Sequence, residues 1–411
     1  MKLLEITLGI MTAVGGFVDI SELVFAAQAG SSYGYALIWV FALSTIGIMV
    51  LGEMSGRVAA IAKQPVFNLI RHRLGLKLGL VTLIASLISN LITCAAEVGG
   101  AAIILHLLTG APYLIMAAAL MVMLIATIWV LPFKWIERTY GLLGLFMIVF
   151  AVALVKIDPP WARIAGGFVP QIPSGLSTRE LIRFAYFGVA IVSAVMFPYE
   201  VYFYSSGGIE EQWGPKDLSI NRVTCTIGFG LGSLLAISIL SSSAQLFAPL
   251  NLDPQLPGSA ALAPELAMGR TGLLLALLGI LFAVAGAAIE TCLANAYSVA
   301  QFFGWEWGRH KKPWQTPRFT LLWIALFLLA LAIVLTGVDV MKLVELAILF
   351  SVLVLPLTYL PLLLLASDRH FMREHRNGVI ANGLGWLYFA VIVVAAVAAI
   401  PLYLLSAGGQ G

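Results

Sequence analysis

Charge is what this 411-residue sequence has least of: Asp, Glu, Lys and Arg make up 10% of it, against about 25% in a soluble domain. That scarcity excludes an ordinary soluble enzyme or binding module. Cysteine is nearly absent as well, with Cys94, Cys225 and Cys292 the only three. None of them forms a CxxC pair, so neither a disulfide framework nor a zinc site is indicated. No nucleophile–base pair and no nucleotide-binding loop can be picked out, which argues against an enzyme and implies no cofactor. The basic stretches RHRLGLK (71–77) and WGRHKKPW (307–314) flank apolar runs. They serve as topology signals and suggest no nucleic-acid partner.

What the chain has instead is apolar length, with 61% apolar residues and a mean hydropathy of +1.00. A membrane-spanning helix needs about 20 mostly apolar residues. Eleven stretches qualify: 6–29, 33–56, 78–107, 112–132, 139–156, 183–207, 223–247, 271–302, 319–336, 342–366 and 383–406. They predict an all-α integral membrane protein with short loops and no soluble domain, for which the lipid bilayer is the first partner. The first stretch lacks a small-residue cleavage site, so it reads as helix one and not as a signal peptide. Of the 23 Lys and Arg residues, 17 fall on one side of these spans and 6 on the other. By the positive-inside rule the N-terminus is expected in the cytoplasm and the C-terminus outside.

Two of the spans carry acids: Asp19 and Glu22 in VGGFVDISELVF, and Glu200 in VMFPYEVYF. A charged side chain at mid-bilayer costs at least ~2.5–3.5 kcal/mol, so acids kept there mark a polar cavity or an ion path. Each group sits beside a helix breaker, Gly15-Gly16 in one span and Pro198 in the other. Interrupted helices at matching places in two halves are a signature of a transporter site. The spans divide into five, five and one. An odd number per half inverts the second copy, giving a first repeat over 1–156, an extracellular linker over 157–182, a second repeat over 183–366, and a cytoplasmic loop with the last helix over 367–411.

Several blocks in order resemble the natural resistance-associated macrophage protein (NRAMP) family of divalent-metal transporters. The family's Asp-Pro-Gly-Asn motif falls on Asp19-Ile20-Ser21-Glu22, followed in register by Gln28-Ala29-Gly30 and Tyr33-Gly34-Tyr35. GEMSGRVA (52–59), AAEVGGAAIILHLLTG (95–110) and KWIERTYGLL (134–143) are similar to later family blocks. The helix-six motif Met-Pro-His-Asn-Leu-Tyr-Leu-His-Ser reads here as Phe197 to Ser205. The resemblance implies the LeuT-type fold of the APC superfamily, a five-plus-five inverted repeat with discontinuous helices one and six. It also implies a bacterial-type plasma-membrane transporter that works as a monomer. By position, Asp19, Glu22, the Ala194 backbone carbonyl and Phe197, which stands where the family has Met, would meet the metal, with Glu200 beside them.

The departures from the family pattern are informative. A thioether favours softer transition metals, whereas carboxylate, carbonyl and water suit magnesium, calcium or manganese. Loss of the Met and gain of Glu22 and Glu200 therefore harden the site, and magnesium keeps several waters when held by one or two carboxylates. The family's helix-six histidines become Tyr199 and Tyr204, and the helix-three Asp becomes Cys94, leaving Glu97. Histidine titrates near pH 6.5 and tyrosine near pH 10, so a proton relay is weakened. This resembles the NRAMP-related magnesium transporters, a branch uncoupled from protons. The expectation is alternating-access transport of a hard divalent cation, magnesium first and manganese second. Alternatives are a proton-coupled manganese or iron importer and a non-transporting sensor with the same fold. An amino-acid permease is disfavoured, because a ring of acids repels a substrate carboxylate.

Each residue also has a plainer role open to it. Asp19 can cap a half-helix, Glu22 can be protonated, and Glu200 can line a vestibule. Glu97, Tyr199 and Glu290 are candidates for a proton or supporting role. Asn90 and Thr93 could offer oxygens from helix three, while Glu53, Glu345 and Lys342 are expected near the interface.

Overall fold

The computed structural model describes residues 18–409. Gly15-Gly16, the first part of helix one (6–17) and Lys2 lie outside the described residues. Among those described there is no strand, and ten helices or helix pairs are long and apolar enough to cross a membrane. They correspond one to one with ten of the eleven stretches drawn from the sequence. The described half of helix one, α1 (Ile20–Tyr33), supplies the remaining one and runs four residues past the expected end at 29.

The spans follow as α2 (Ile38–Ala62), α3 (Val66–Thr109), α4 (Tyr113–Val130), the consecutive α5 (Phe133–Gly144) and α6 (Ile148–Lys156), then α7 (Thr178–Val195) and α8 (Pro198–Glu210). After them come α9 (Leu218–Leu246), α10 (Leu262–Phe303), α11 (Pro317–Leu335), α12 (Val340–Ser367) and α13 (Val379–Leu405). Proline marks several starts, at N-cap positions 65, 112 and 132 and at the first turn of α8 and α11. At the first turn its missing N–H removes no helical bond. The long helices α3 and α10 each bend at a glycine, Gly75 and Gly269, whose positive φ interrupts the helix before its membrane-spanning part.

The segment expected to be an irregular linker over 157–182 is partly helical, with a turn at Trp161–Gly166. The next helix starts at Thr178, five residues before the expected 183. The reason is a capping box in which Ser177 and Glu180 each accept the other's backbone N–H. That Ser-x-x-Glu pattern was present in the sequence. The C-terminal end of α8 is held in a similar way. The buried Glu210 carboxylate accepts from Tyr297 Oη at 2.9 Å, from His310 Nδ1 at 2.7 Å, and from the backbone N–H groups of Arg309 and His310. Glu345, expected near the interface, is buried.

In packing, α3 lies between α10 and α12, and α1 lies along α9. The outer helix α13 turns Val379, Ile380, Val394, Val397 and Leu404 outward, as a lipid-facing span should. The α1–α9 contact is backbone against backbone. A Cβ built on Gly30 would stand 2.1 Å from Leu240 O and 3.1 Å from Ala244 N, and Ser243 Oγ donates to Ala27 O at 2.5 Å.

Gly30→Ala must therefore push the two helices apart. A loss of about 1–3 kcal/mol of stability, the usual range for overpacking, is expected. It would be read as a lowered melting temperature of the purified protein in detergent, and an unshifted melt would contradict the contact.

Candidate functional site

The candidate site lies at one helix start and one helix break. Asp19 is the N-cap of α1, with extended backbone (φ −91°, ψ 173°), and its Oδ1 accepts the Glu22 N–H at 2.7 Å. An N-cap carboxylate satisfies a donor that a helix start leaves unpaired. Only one oxygen is used: Asp19 Oδ2 is buried and has no hydrogen-bond partner. The capping role and the availability of the second oxygen thus coexist. Glu97 of α3 reaches the same helix start, its Oε1 accepting the Ile20 N–H at 3.2 Å while Oε2 is buried and unpartnered.

The second break separates α7 from α8 at Met196 and Phe197. Met196 leaves helical geometry (φ −127°, ψ 42°), and Phe197 caps α8 with extended backbone. In a continuous helix the Ala194 carbonyl would accept from the N–H of residue 198. That residue is Pro198, which has none, so the carbonyl loses its helical partner. Phe197 is fully buried, its ring 5.5 Å from that of Tyr199, and offers no ligand atom where it lies. Glu200 stands in the first turn of α8, with Oε2 buried and unpartnered, and the Tyr199 hydroxyl is in the same condition.

These groups lie within electrostatic range of one another. Glu200 lies within electrostatic reach of Asp19, Glu22 and Glu290, and Glu97 within reach of Asp19 and Glu290. The Tyr199 hydroxyl feels Asp19, Glu200, Glu97 and Glu290. Asp19, Glu22, Glu97 and Glu200 are all at most 6% exposed. No basic side chain is among the described groups acting on them. Buried carboxylates without a counter-charge are costly, so holding more than one of them ionised requires a cation. Even so, no three His, Cys, Asp or Glu side chains among the described residues converge tightly enough to cage a metal. What the acids offer is therefore a set of orphaned oxygens and not a closed cage.

Other candidates sit in different surroundings. Asn90 Nδ2 donates to Asn295 Oδ1 at 2.9 Å while its own Oδ1 is buried without a partner, and Thr93 Oγ1 donates to Ser89 O. Cys94 contacts the Ala288 carbonyl at 3.7 Å. Glu53 belongs to a peripheral cluster, paired with Arg57 at 3.0 Å and with Arg222 at 3.7 Å. One participant had escaped the sequence reading. Tyr359 of α12, fully buried, donates its hydroxyl to the Met196 carbonyl at 3.2 Å. A single Tyr in an apolar span gives no periodic signal, although Pro356 and Pro361, which bracket it, set it apart.

Comparison with known proteins agrees with this architecture. A curated relative, the divalent metal cation transporter MntH of Levilactobacillus brevis, is 25% identical over 413 residues, covering 94% of this chain and 86% of its own. The crystal structure of the Eremococcus coleocola manganese transporter superposes with a TM-score of 0.74 at 19% identity, over 99% of this chain and 87% of that one. MhsT in complex with L-phenylalanine superposes at 0.62 and 16% identity, over 97% and 98%. At those identities the solved structures speak for the shared LeuT-type inverted-repeat fold alone. The family model described as natural resistance-associated macrophage protein-like matches residues 9–401. Spanning nearly the whole sequence, that match shows that the chain belongs to the natural resistance-associated macrophage protein family, whose members are membrane transporters and not enzymes.

Proposed function

We propose that this protein carries a divalent metal ion across the membrane by alternating access, with the ion between Asp19, Glu22, Glu200 and the Ala194 carbonyl. The observation that supports this most directly is the group of buried, unpartnered carboxylate oxygens on Asp19, Glu97 and Glu200 with no basic side chain acting on them. A divalent cation supplies the charge they lack. The L. brevis relative carries the name of a divalent metal cation transporter, and the E. coleocola structure that of a manganese transporter, which favours the same class of cargo here.

Within that class the donor set is hard. Carboxylates, a carbonyl and water suit magnesium and manganese, and Phe197 removes the position from which a sulfur could select softer ions. Magnesium is the preferred cargo on this reading and manganese the second. Transport is independent of protons, since Tyr199, Tyr204 and Cys94 occupy places suited to titratable relay groups. Residues 1–156 and 183–366 form the two inverted repeats, joined by 157–182 on the outside, and the N-terminus is cytoplasmic. The protein acts as a monomer.

Three outcomes follow for purified protein in liposomes. Asp19→Ala abolishes divalent uptake while the protein stays monodisperse, and Glu22→Gln weakens it less because an amide oxygen still coordinates; normal uptake by Asp19→Ala would remove that residue from the site. Phe197→Met raises manganese or cadmium binding relative to magnesium in a competition titration, and a native protein that already prefers cadmium would defeat the hard-site reading. A pH-sensitive dye trapped inside the liposomes reports no change while metal enters. Metal-dependent acidification that vanishes in Glu97→Gln would instead establish coupling through Glu97.

A further inference from the structure

The two halves of the broken helix are not free to reorient independently, because α12 holds them at three levels. Before the break, Ser193 Oγ of α7 donates to Ile348 O at 2.9 Å. At the break, Tyr359 Oη donates to Met196 O at 3.2 Å. After it, Tyr202 Oη of α8 donates to Thr358 Oγ1 at 2.9 Å. The middle bond differs from its neighbours, since it is the only one of the three that ends on backbone outside a helix. There the backbone has no ladder of its own to fix the peptide planes.

We propose that Tyr359 is a positioning residue for the transported ion: by engaging the Met196 carbonyl it fixes the unwound peptides and so sets the direction of the Ala194 carbonyl. This rests on the cation-transport reading above. Several carbonyls flank the break. Ser193 O accepts the Met196 N–H at 3.4 Å, Met196 O is held by Tyr359, and the carbonyl of the N-cap Phe197 opens the α8 ladder. Ala194 O is left without its helical donor by Pro198. Without the phenol, the Met196 carbonyl is buried and unsatisfied, a condition that costs free energy and is relieved by rotating the peptide. Two residues away, that rotation redirects the Ala194 carbonyl, the backbone oxygen assigned to the ion above.

Tyr359 is well placed to act as a fixed reference. Its side chain is fully buried, and α12 packs along α3, the helix that also brings Glu97 to the site. The same hydroxyl lies within electrostatic reach of Glu200.

The test is a comparison of uptake kinetics for manganese and magnesium in liposomes. Tyr359→Phe, which keeps the ring, is expected to raise KM roughly three- to tenfold, the fold-change one neutral hydrogen bond supports, with Vmax within about twofold. Thr358→Val, which removes the neighbouring bond of similar length but not the one at the break, is expected to keep the native KM. Incorporating 3,5-difluorotyrosine at position 359 keeps a hydroxyl donor and should keep KM at or below the native value, and this variant tests the proposal even where Tyr359→Phe folds poorly. A native KM in Tyr359→Phe, an equal rise in Thr358→Val, or a rise with the fluorinated phenol would each overturn the proposal. Full uptake by Asp19→Ala in the same assay would show that the underlying site reading had failed, which is a separate result.

Discussion

The structure depends on an electrical imbalance at its centre. Asp19, Glu22, Glu97, Glu200 and Glu290 are brought together by four different helices, and no Lys, Arg or His among the described groups acts on them. Ionising these acids together is opposed by burial and by mutual repulsion, which act in the same direction, so apolar packing alone cannot support it. The fold spends part of two of these acids on structure. One oxygen of Asp19 caps α1, and one of Glu97 receives the Ile20 N–H. The other oxygen of each is buried and left over.

The helix start and the helix break serve this arrangement differently. At α1 the helix start exposes N–H donors, which anchor carboxylates. At α7–α8 the break exposes carbonyls, which complement cations. An inverted repeat brings a donor-bearing break and an acceptor-bearing break into one place, so both the anchoring of the acids and the extra oxygen come from backbone that is not helical. Pro198 illustrates the economy of the device, since one missing N–H both ends α7 and frees Ala194 O.

Much of this could be read from the sequence, for physical reasons. Apolar runs of membrane length are unambiguous, so the spans were legible to within a few residues, and the rarity of acids inside them singled out Asp19, Glu22 and Glu200 as candidates. Element boundaries set by local polar bonds were less visible: the capping box at Ser177 and Glu180 places the start of α7 five residues early, and the 157–182 linker contains a helical turn. Tertiary polar bonds could not be read at all. Tyr359 and the Asn90–Asn295 pair depend on which helices become neighbours, and a stretch of sequence that is apolar throughout carries no record of its partners.

The interlock of α1 with α9 has a mechanical consequence. With a Gly30 hydrogen as the only spacer, the two helices tilt together. The 14 residues of α1 make a rod about 21 Å long at 1.5 Å per residue. A tilt of about 10° around its Tyr33 end therefore carries Asp19 through about 3.6 Å, more than the length of a hydrogen bond. The tilt of spanning helices responds to the thickness of the surrounding hydrocarbon layer. A change of hydrocarbon thickness that tilted this helix pair would therefore move Asp19 relative to the acids on the other helices.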